Sequence, residues 1–91
     1  MATGTIKNHA IRYKTFLVDC KTATAQLSGY YCGERALTSA ETEGAYLVVP
    51  VFARKSGYNY PITVGCENGT IRLLSPASFE SVNVGVALLY Q

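Results

Sequence analysis

The stretch PITVGCENGTIRLL, residues 61–74, decides the fold class of this chain. It contains two short runs rich in isoleucine, valine, threonine and leucine, joined by Glu67-Asn68-Gly69. Asn-Gly between two such runs is the strongest short-range signal of a β-hairpin, because both central residues of a type I′ turn need a positive φ. We therefore predict an antiparallel hairpin at this point of the chain.

Two more runs of apolar and β-branched residues flank the hairpin. They are AYLVVPVF at residues 45–52 and SVNVGVALLY at residues 81–90. Turn-forming residues recur about every ten positions, a spacing that is typical of a β-sandwich or a barrel. We predict a single all-β domain over residues 1–91, a small antiparallel β-sandwich.

The first half of the chain is less regular. The alternation of apolar and polar residues changes parity between Tyr13 and Phe16, which predicts either a bulge near Lys14-Thr15 or two shorter strands. We expect Lys7, Arg12 and Lys14 to point outward here. The core face is expected to hold Ile6, His9 or Ala10, Ile11, Tyr13, Phe16 and Val18. The segment ERALTSAETEG, residues 34–44, has helix-forming composition but no regular apolar stripe, so we expect a loop with at most one short helix. Thr38 or Ser39 could cap such a turn, with Glu41 or Glu43 following.

The composition is apolar and poor in charge. Hydrophobic residues make up 48% of the chain and charged residues 15%, against roughly 25% charged in an ordinary soluble domain. This balance predicts that a partner, or further copies of the chain, cover part of the surface.

Several classes of partner and location are disfavoured by the same sequence. The net charge is +2 and the basic residues are scattered, so we predict no nucleic-acid binding. No apolar run approaches 18 residues, which predicts no membrane insertion. The N-terminus lacks the pattern of a signal peptide, so we expect synthesis in a reducing cytoplasm.

Metal and thiol chemistry are weakly indicated. Cys20, Cys32 and Cys66 are odd in number and lack a C-x-x-C pair, and we interpret them mainly as free thiols that act as small hydrophobic residues. His9 is the only histidine, and we interpret it as a half-buried or surface residue, with an ion held by three copies at a three-fold axis as the alternative. We predict no cofactor and no metal site.

Catalysis is also weakly indicated. Half of the six carboxylates fall in residues 34–44, and no pattern places two across a cleft as a glycosidase requires. The glycines form no nucleotide-binding motif. We therefore predict that the protein is not an enzyme.

Tyrosines beside turns are the best candidates for contact with a ligand. Tyrosine is stiff and amphipathic, so an exposed tyrosine at a loop tip stacks on sugar rings at low entropic cost. The predicted ligand-binding residues are Arg54, Lys55, Tyr58, Asn59, Tyr60, Tyr30 and Tyr31. The alternative is that these tyrosines only pack against the sheets.

The last strand carries no charge over residues 82–90. Such a strand is either central in its sheet or pressed against another subunit, because an exposed neutral edge aggregates. We assign its larger face to an oligomer interface, formed by Val82, Val84, Val86, Leu88 and Tyr90.

The order of these segments resembles a known family. Residues 44–90 are similar to the C-terminal receptor-binding tip domain of phage tail fibres. The resemblance rests on the strand YLVVPV, the loop of residues 53–59, the strand ITV, the turn and strand NGTIRL, and the terminal strand VNVGVALLY.

This resemblance implies a jelly-roll-like sandwich that forms a homotrimer in the virion and binds a glycan or protein receptor on the host cell surface. Three copies would add weak single contacts into avidity. The alternatives are a structural or decoration protein of the virion, and a small phage-encoded inhibitor of a host enzyme.

Overall fold

The structure is a computed structural model that describes residues 10–90. The elements follow the chain in this order: β1 (Ala10–Cys20), β2 (Thr22–Ala23), β3 (Tyr31–Ala36), α1 (Ser39–Thr42), β4 (Leu47–Arg54), β5 (Thr63–Glu67), β6 (Thr70–Ser75) and β7 (Phe79–Tyr90). His9 lies outside the described residues.

Two antiparallel sheets form the domain. The three-stranded sheet has the order β1-β7-β4, and the four-stranded sheet has the order β2-β3-β6-β5. The main strands β1, β3, β4 and β5 alternate between the two sheets, as in a jelly roll, and β5 and β6 form a hairpin. The predicted all-β, jelly-roll-like sandwich is confirmed.

The hairpin forms where the sequence predicts it. Glu67 pairs with Thr70 across the turn, and Asn68 and Gly69 have φ of 53° and 72°. Both central residues thus occupy the left-handed region that a type I′ turn requires.

The core lies between the two sheets, and β7 supplies the largest share of it. Val82, Val84, Val86 and Leu88 are fully buried within the chain itself. They pack with β6 residues Ile71 and Leu73, together with Val18, Cys20 and Ile62.

The assignment of β7 residues to an oligomer interface is therefore corrected. Val82, Val84, Val86 and Leu88 leave no surface for another subunit, because their side chains are fully buried in the core between the two sheets. Tyr90 is half-buried, and its hydroxyl donates to the Thr42 carbonyl and to Glu43 Oε1 at 3.1 Å each.

The orientation of β1 also differs from the prediction. Phe16 pairs with Val84, and the same register continues without interruption through Lys14 and Arg12 to the end of β7. Arg12 and Lys14 therefore lie on the inner side, Ile11 and Tyr13 point outward, and the irregularity falls between Val18 and Cys20. The inward charges are tolerated because Glu43, next to α1, lies within ion-pair distance of both.

The segment 34–44 is more ordered than the predicted loop. Its first residues belong to β3, and α1 begins with a complete capping box, in which Thr38 and Glu41 bond to each other's backbone N–H. The carboxylate of Glu41 also forms a two-pronged ion pair with Arg35, with distances of 3.1 and 2.6 Å. Thr38 is thus confirmed as the cap and α1 is the one short helix that the prediction allowed, while the loop prediction is wrong for residues 34–36, which belong to β3.

No helix within residues 10–90 has the length and apolar character needed to cross a membrane.

Candidate ligand-binding groove

An open groove of about 400 Å³ lies at the end of the sandwich where β4 finishes. Arg54, the last residue of β4, pairs with Asn83 of β7, so the two side chains start from neighbouring backbone positions. The groove is lined by Phe52, Arg54, Lys55, Ser56, Gly57, Tyr58, Asn59 and Asn83.

The far wall of the groove is a tight turn. The Tyr58 N–H donates to the Lys55 carbonyl at 3.0 Å, and Gly57 has φ of 82°, a conformation that glycine adopts at little cost. Ala53, which precedes the turn, packs against the core and fixes where the turn begins.

Three aromatic rings at this end contact one another in tilted and edge-on arrangements. Tyr58 is half-buried and meets Phe79 edge-on, with ring centroids 4.6 Å apart. Tyr60 lies on the other side of Tyr58 at 5.5 Å, and 71% of its surface is exposed. Tyr58 therefore anchors the loop, and Tyr60 presents a ring to solvent.

The two cations of the groove have different surroundings. Lys55 Nζ donates to the Glu80 carbonyl at 2.6 Å, so this side chain ties the β4–β5 loop to the start of β7. Among the residues that the structure describes, no carboxylate lies within ion-pair distance of Arg54. Arg54 is thus the cation of this site that can pair with an incoming anion.

The lining is aromatic, amide-bearing and cationic in character. It offers aromatic surface, two amide side chains and a guanidinium, and none of its eight residues is a carboxylate, histidine or cysteine. Amide side chains donate and accept hydrogen bonds in fixed directions and a guanidinium donates them, while an exposed ring stacks on an apolar face. Such a set has the chemistry to bind a polar ligand that has one flat apolar side.

The structure brings together four of the seven predicted ligand-binding residues, Arg54, Lys55, Tyr58 and Asn59, with Tyr60 beside them. Tyr30 and Tyr31 are not part of the lining. Tyr31 pairs with Ser75 and packs against the core, and its carbonyl accepts from Cys20 Sγ at 3.3 Å. Its role in the fold is therefore packing, the alternative that the sequence left open.

Four lining residues were not among the predicted ligand-binding residues: Ser56 and Gly57, which lie within the predicted loop, and Phe52 and Asn83, which lie outside it. Asn83 could have been identified from the sequence, because it is the one strongly polar residue in the neutral run 82–90. Phe52 could not, since its place depends on a bulge between Pro50 and Phe52 that shifts the β4 register.

A second polar cluster lies at the opposite end of the sandwich. Lys14 Nζ is 2.9 Å from a Glu43 carboxylate oxygen and donates to the Glu41 carbonyl at the same distance. The hydrogen bond from Arg35, aided by the Thr38 N–H, lowers the pKa of Glu41 to about 2. Hydrogen bonds from Lys14 and Tyr90 lower the pKa of Glu43. Every one of these charges has a partner, so the cluster fastens α1 onto the sheets.

The three cysteines are free thiols. Burial raises the pKa of Cys20, with a further contribution from Cys32, and burial also raises the pKa of Cys66. These two thiols are therefore protonated at neutral pH and poorly suited to act as nucleophiles.

Within residues 10–90, no three histidine, cysteine or carboxylate side chains are grouped so as to hold a metal ion. Neither the models of protein families, nor the curated proteins, nor the solved structures give a match to this chain.

Proposed function

We propose that this chain is a receptor-binding module, the tip of a phage tail fibre, which holds a host cell-surface glycan at the Arg54–Tyr60 end. The observation that carries the proposal is the groove in which Arg54, Asn59 and Asn83 converge beside the exposed ring of Tyr60. The protein would act by binding and not by catalysis.

A sugar ring matches the chemistry of this end. One face of a pyranose carries C–H groups that stack on tyrosine, while its hydroxyl groups exchange hydrogen bonds with amide side chains. Arg54, which has no ion pair among the described residues, adds a preference for glycans that carry a carboxylate or phosphate. Each single contact is weak, so several copies acting together would supply the affinity.

The test is a glycan array probed with the wild-type domain and with Tyr60→Ala. Because the Tyr60 ring is mostly exposed, its removal should leave the fold intact and weaken binding at least several-fold. The control is Tyr46→Ala, since Tyr46 is also exposed, at 54%, and lies at the opposite end of the sandwich. Tyr46→Ala should bind like the wild type.

Three results would count against a glycan-binding tip. If the two tyrosine variants lost glycan binding equally, the groove would not be the binding site. Binding to assembled capsid without any glycan would favour the structural or decoration role. Capture of one host enzyme in near-stoichiometric yield would favour the inhibitor role.

A further inference from the structure

The outer side of the three-stranded sheet is an apolar surface with few polar residues. Strand alternation places one set of side chains from β1, β7 and β4 on the side away from the core. We call this set the outer apolar face, and it consists of Ile11, Tyr13, Thr15, Leu17, Leu47, Val49, Ala87 and Leu89.

The exposure of this face is large for a domain of this size. Tyr13 is 72% exposed and Leu17 is 64% exposed, and the side chains of Ile11, Leu47 and Val49 are also exposed. Together the face presents on the order of 600 Å² of apolar surface, at the upper end of what a monomeric protein leaves open. A standard stable interface buries roughly 800 Å² on each partner, so the face and its rim approach that size.

The charges at the margins of this face lie at one end only. Asp19, at the end of β1, accepts from the Ser81 N–H at 2.9 Å, and Arg54 closes the same end on β4. Between them and Ile11, the described part of the face carries no charged side chain.

The other sheet shows what a solvated outer face looks like in this same protein. On the four-stranded sheet, Glu34 and Arg72 stand opposite each other on β3 and β6, with their charged groups 3.5 Å apart. Glu67 stands on the same side of β5, in register with Thr70. The apolar character is therefore specific to one of the two outer faces.

We propose that a second copy of this chain covers the outer apolar face. The face is uncharged over most of its length and close in area to a stable interface. Two copies can therefore pack it against itself without removing an unpaired charge from water. A two-fold axis along β7 would set β1 of one copy over β4 of the other, and would bring Asp19 of each copy toward the Arg54 end of its partner.

This proposal is carried by different residues from the glycan groove, although the two surfaces meet at one end, where Leu17 pairs with Asn83 of the groove and Asn83 pairs with Arg54. It assigns the oligomer interface to the outer face of the three-stranded sheet, because the core occupies the inner face of β7. The apolar residues that an oligomer requires are present, but on the opposite side from the one predicted.

The first test is the solution mass of the wild type and of two matched variants, measured by light scattering behind a sizing column. The wild type should have a mass at least twice that of the 9.8 kDa chain, and Leu17→Glu should reduce it to one chain. The control is Leu27→Glu, which places the same charge at an exposed leucine outside the face and should keep the wild-type mass. Circular dichroism verifies that both variants keep their strands.

A second measurement needs no variant. Hydroxyl-radical labelling of the wild type compares Tyr13 and Tyr60, whose exposures in the single chain, 72% and 71%, are nearly equal. As the protein concentration rises, Tyr13 should become protected severalfold while Tyr60 stays reactive. A monomeric wild type at every concentration, equal behaviour of the two leucine variants, or unprotected Tyr13 in an oligomer would each overturn the proposal. Loss of glycan binding alone would not affect it.

Discussion

At the scale of the residue, two glycines in the four-stranded sheet have opposite roles. A Cβ at Gly33 would overlap the backbone carbonyl of Asp19, because β1 crosses close to β3 at this point. A Cβ at Gly65 would meet nothing within 4 Å. The sequence marks both positions only as glycine, and the contact between strands distinguishes them.

We therefore predict that Gly33→Ala lowers the free energy of unfolding by about 1–3 kcal/mol, since a backbone carbonyl cannot move aside as a flexible side chain can. Gly65→Ala is the matched control and should be neutral or raise stability by about 0.5–1 kcal/mol, because alanine loses less entropy on folding. Urea denaturation followed by circular dichroism measures both. Equal effects of the two changes would contradict the close approach at Gly33.

At the scale of the element, α1 shows how a four-residue helix persists. A helix this short is unstable by itself, so its contacts must hold it. The capping box of Thr38 and Glu41 satisfies its first N–H groups, and Arg35 and Lys14 connect it to the two sheets. The capping residues were readable from the sequence, but their cationic partners are distant along the chain and became visible only in the fold.

The ion pairs of α1 predict acid sensitivity. The pKa of Glu41 falls from its ordinary value of 4.5 to about 2 in the folded protein, so between these values the unfolded chain binds more protons. The stabilisation from Glu41 is therefore complete above pH 4.5 and is lost as the pH falls toward 2. Glu43, whose pKa is also lowered, acts in the same direction.

Thermal unfolding between pH 7 and pH 2 measures this effect. Glu41→Gln should lower the melting temperature at pH 7 and make its decline below pH 4.5 shallower. Glu67→Gln is the control, because Glu67 has no ion pair within residues 10–90, and it should leave the profile close to that of the wild type. An unchanged profile in Glu41→Gln would show that other carboxylates govern acid unfolding.

At the scale of the whole molecule, β7 organises the sandwich. It pairs on both edges, with β1 and β4, and its inner side chains fill the core. Its neutrality was compatible with two structures, a central strand or a strand at a subunit contact. Hydrogen bonding on both edges decides for the central strand.

This position predicts that Leu88→Ala lowers the free energy of unfolding by about 2–5 kcal/mol, because it leaves a cavity in a fully packed core. Leu27→Ala, at an exposed leucine, should change it by less than about 0.5 kcal/mol. Denaturant titration at a fixed protein concentration separates the two. A small effect of Leu88→Ala would contradict the central position of β7 in the core.

The sequence by itself determined the fold class, the Asn68-Gly69 hairpin and the loop that carries Arg54, Lys55, Tyr58 and Asn59. These features depend on local chemistry, since the period of a strand and the φ of a turn residue are set by neighbours in the chain. The bulge in β4 that places Phe52 in the groove depends on pairing between strands that lie far apart in sequence.

Only the tertiary structure decided which side of each strand is buried. In β1, alternation alone allows either side to face the core, and the presence of Arg12 and Lys14 argued for the wrong one. The Glu43 carboxylate, next to α1, lies within ion-pair distance of both charges on that side, and the apolar residues Ile11, Tyr13 and Leu17 are left exposed on the other. The reason is physical. Shifting the register of a strand by one residue moves all its side chains to the opposite face, and the free energy of each arrangement depends on partners that are distant in sequence.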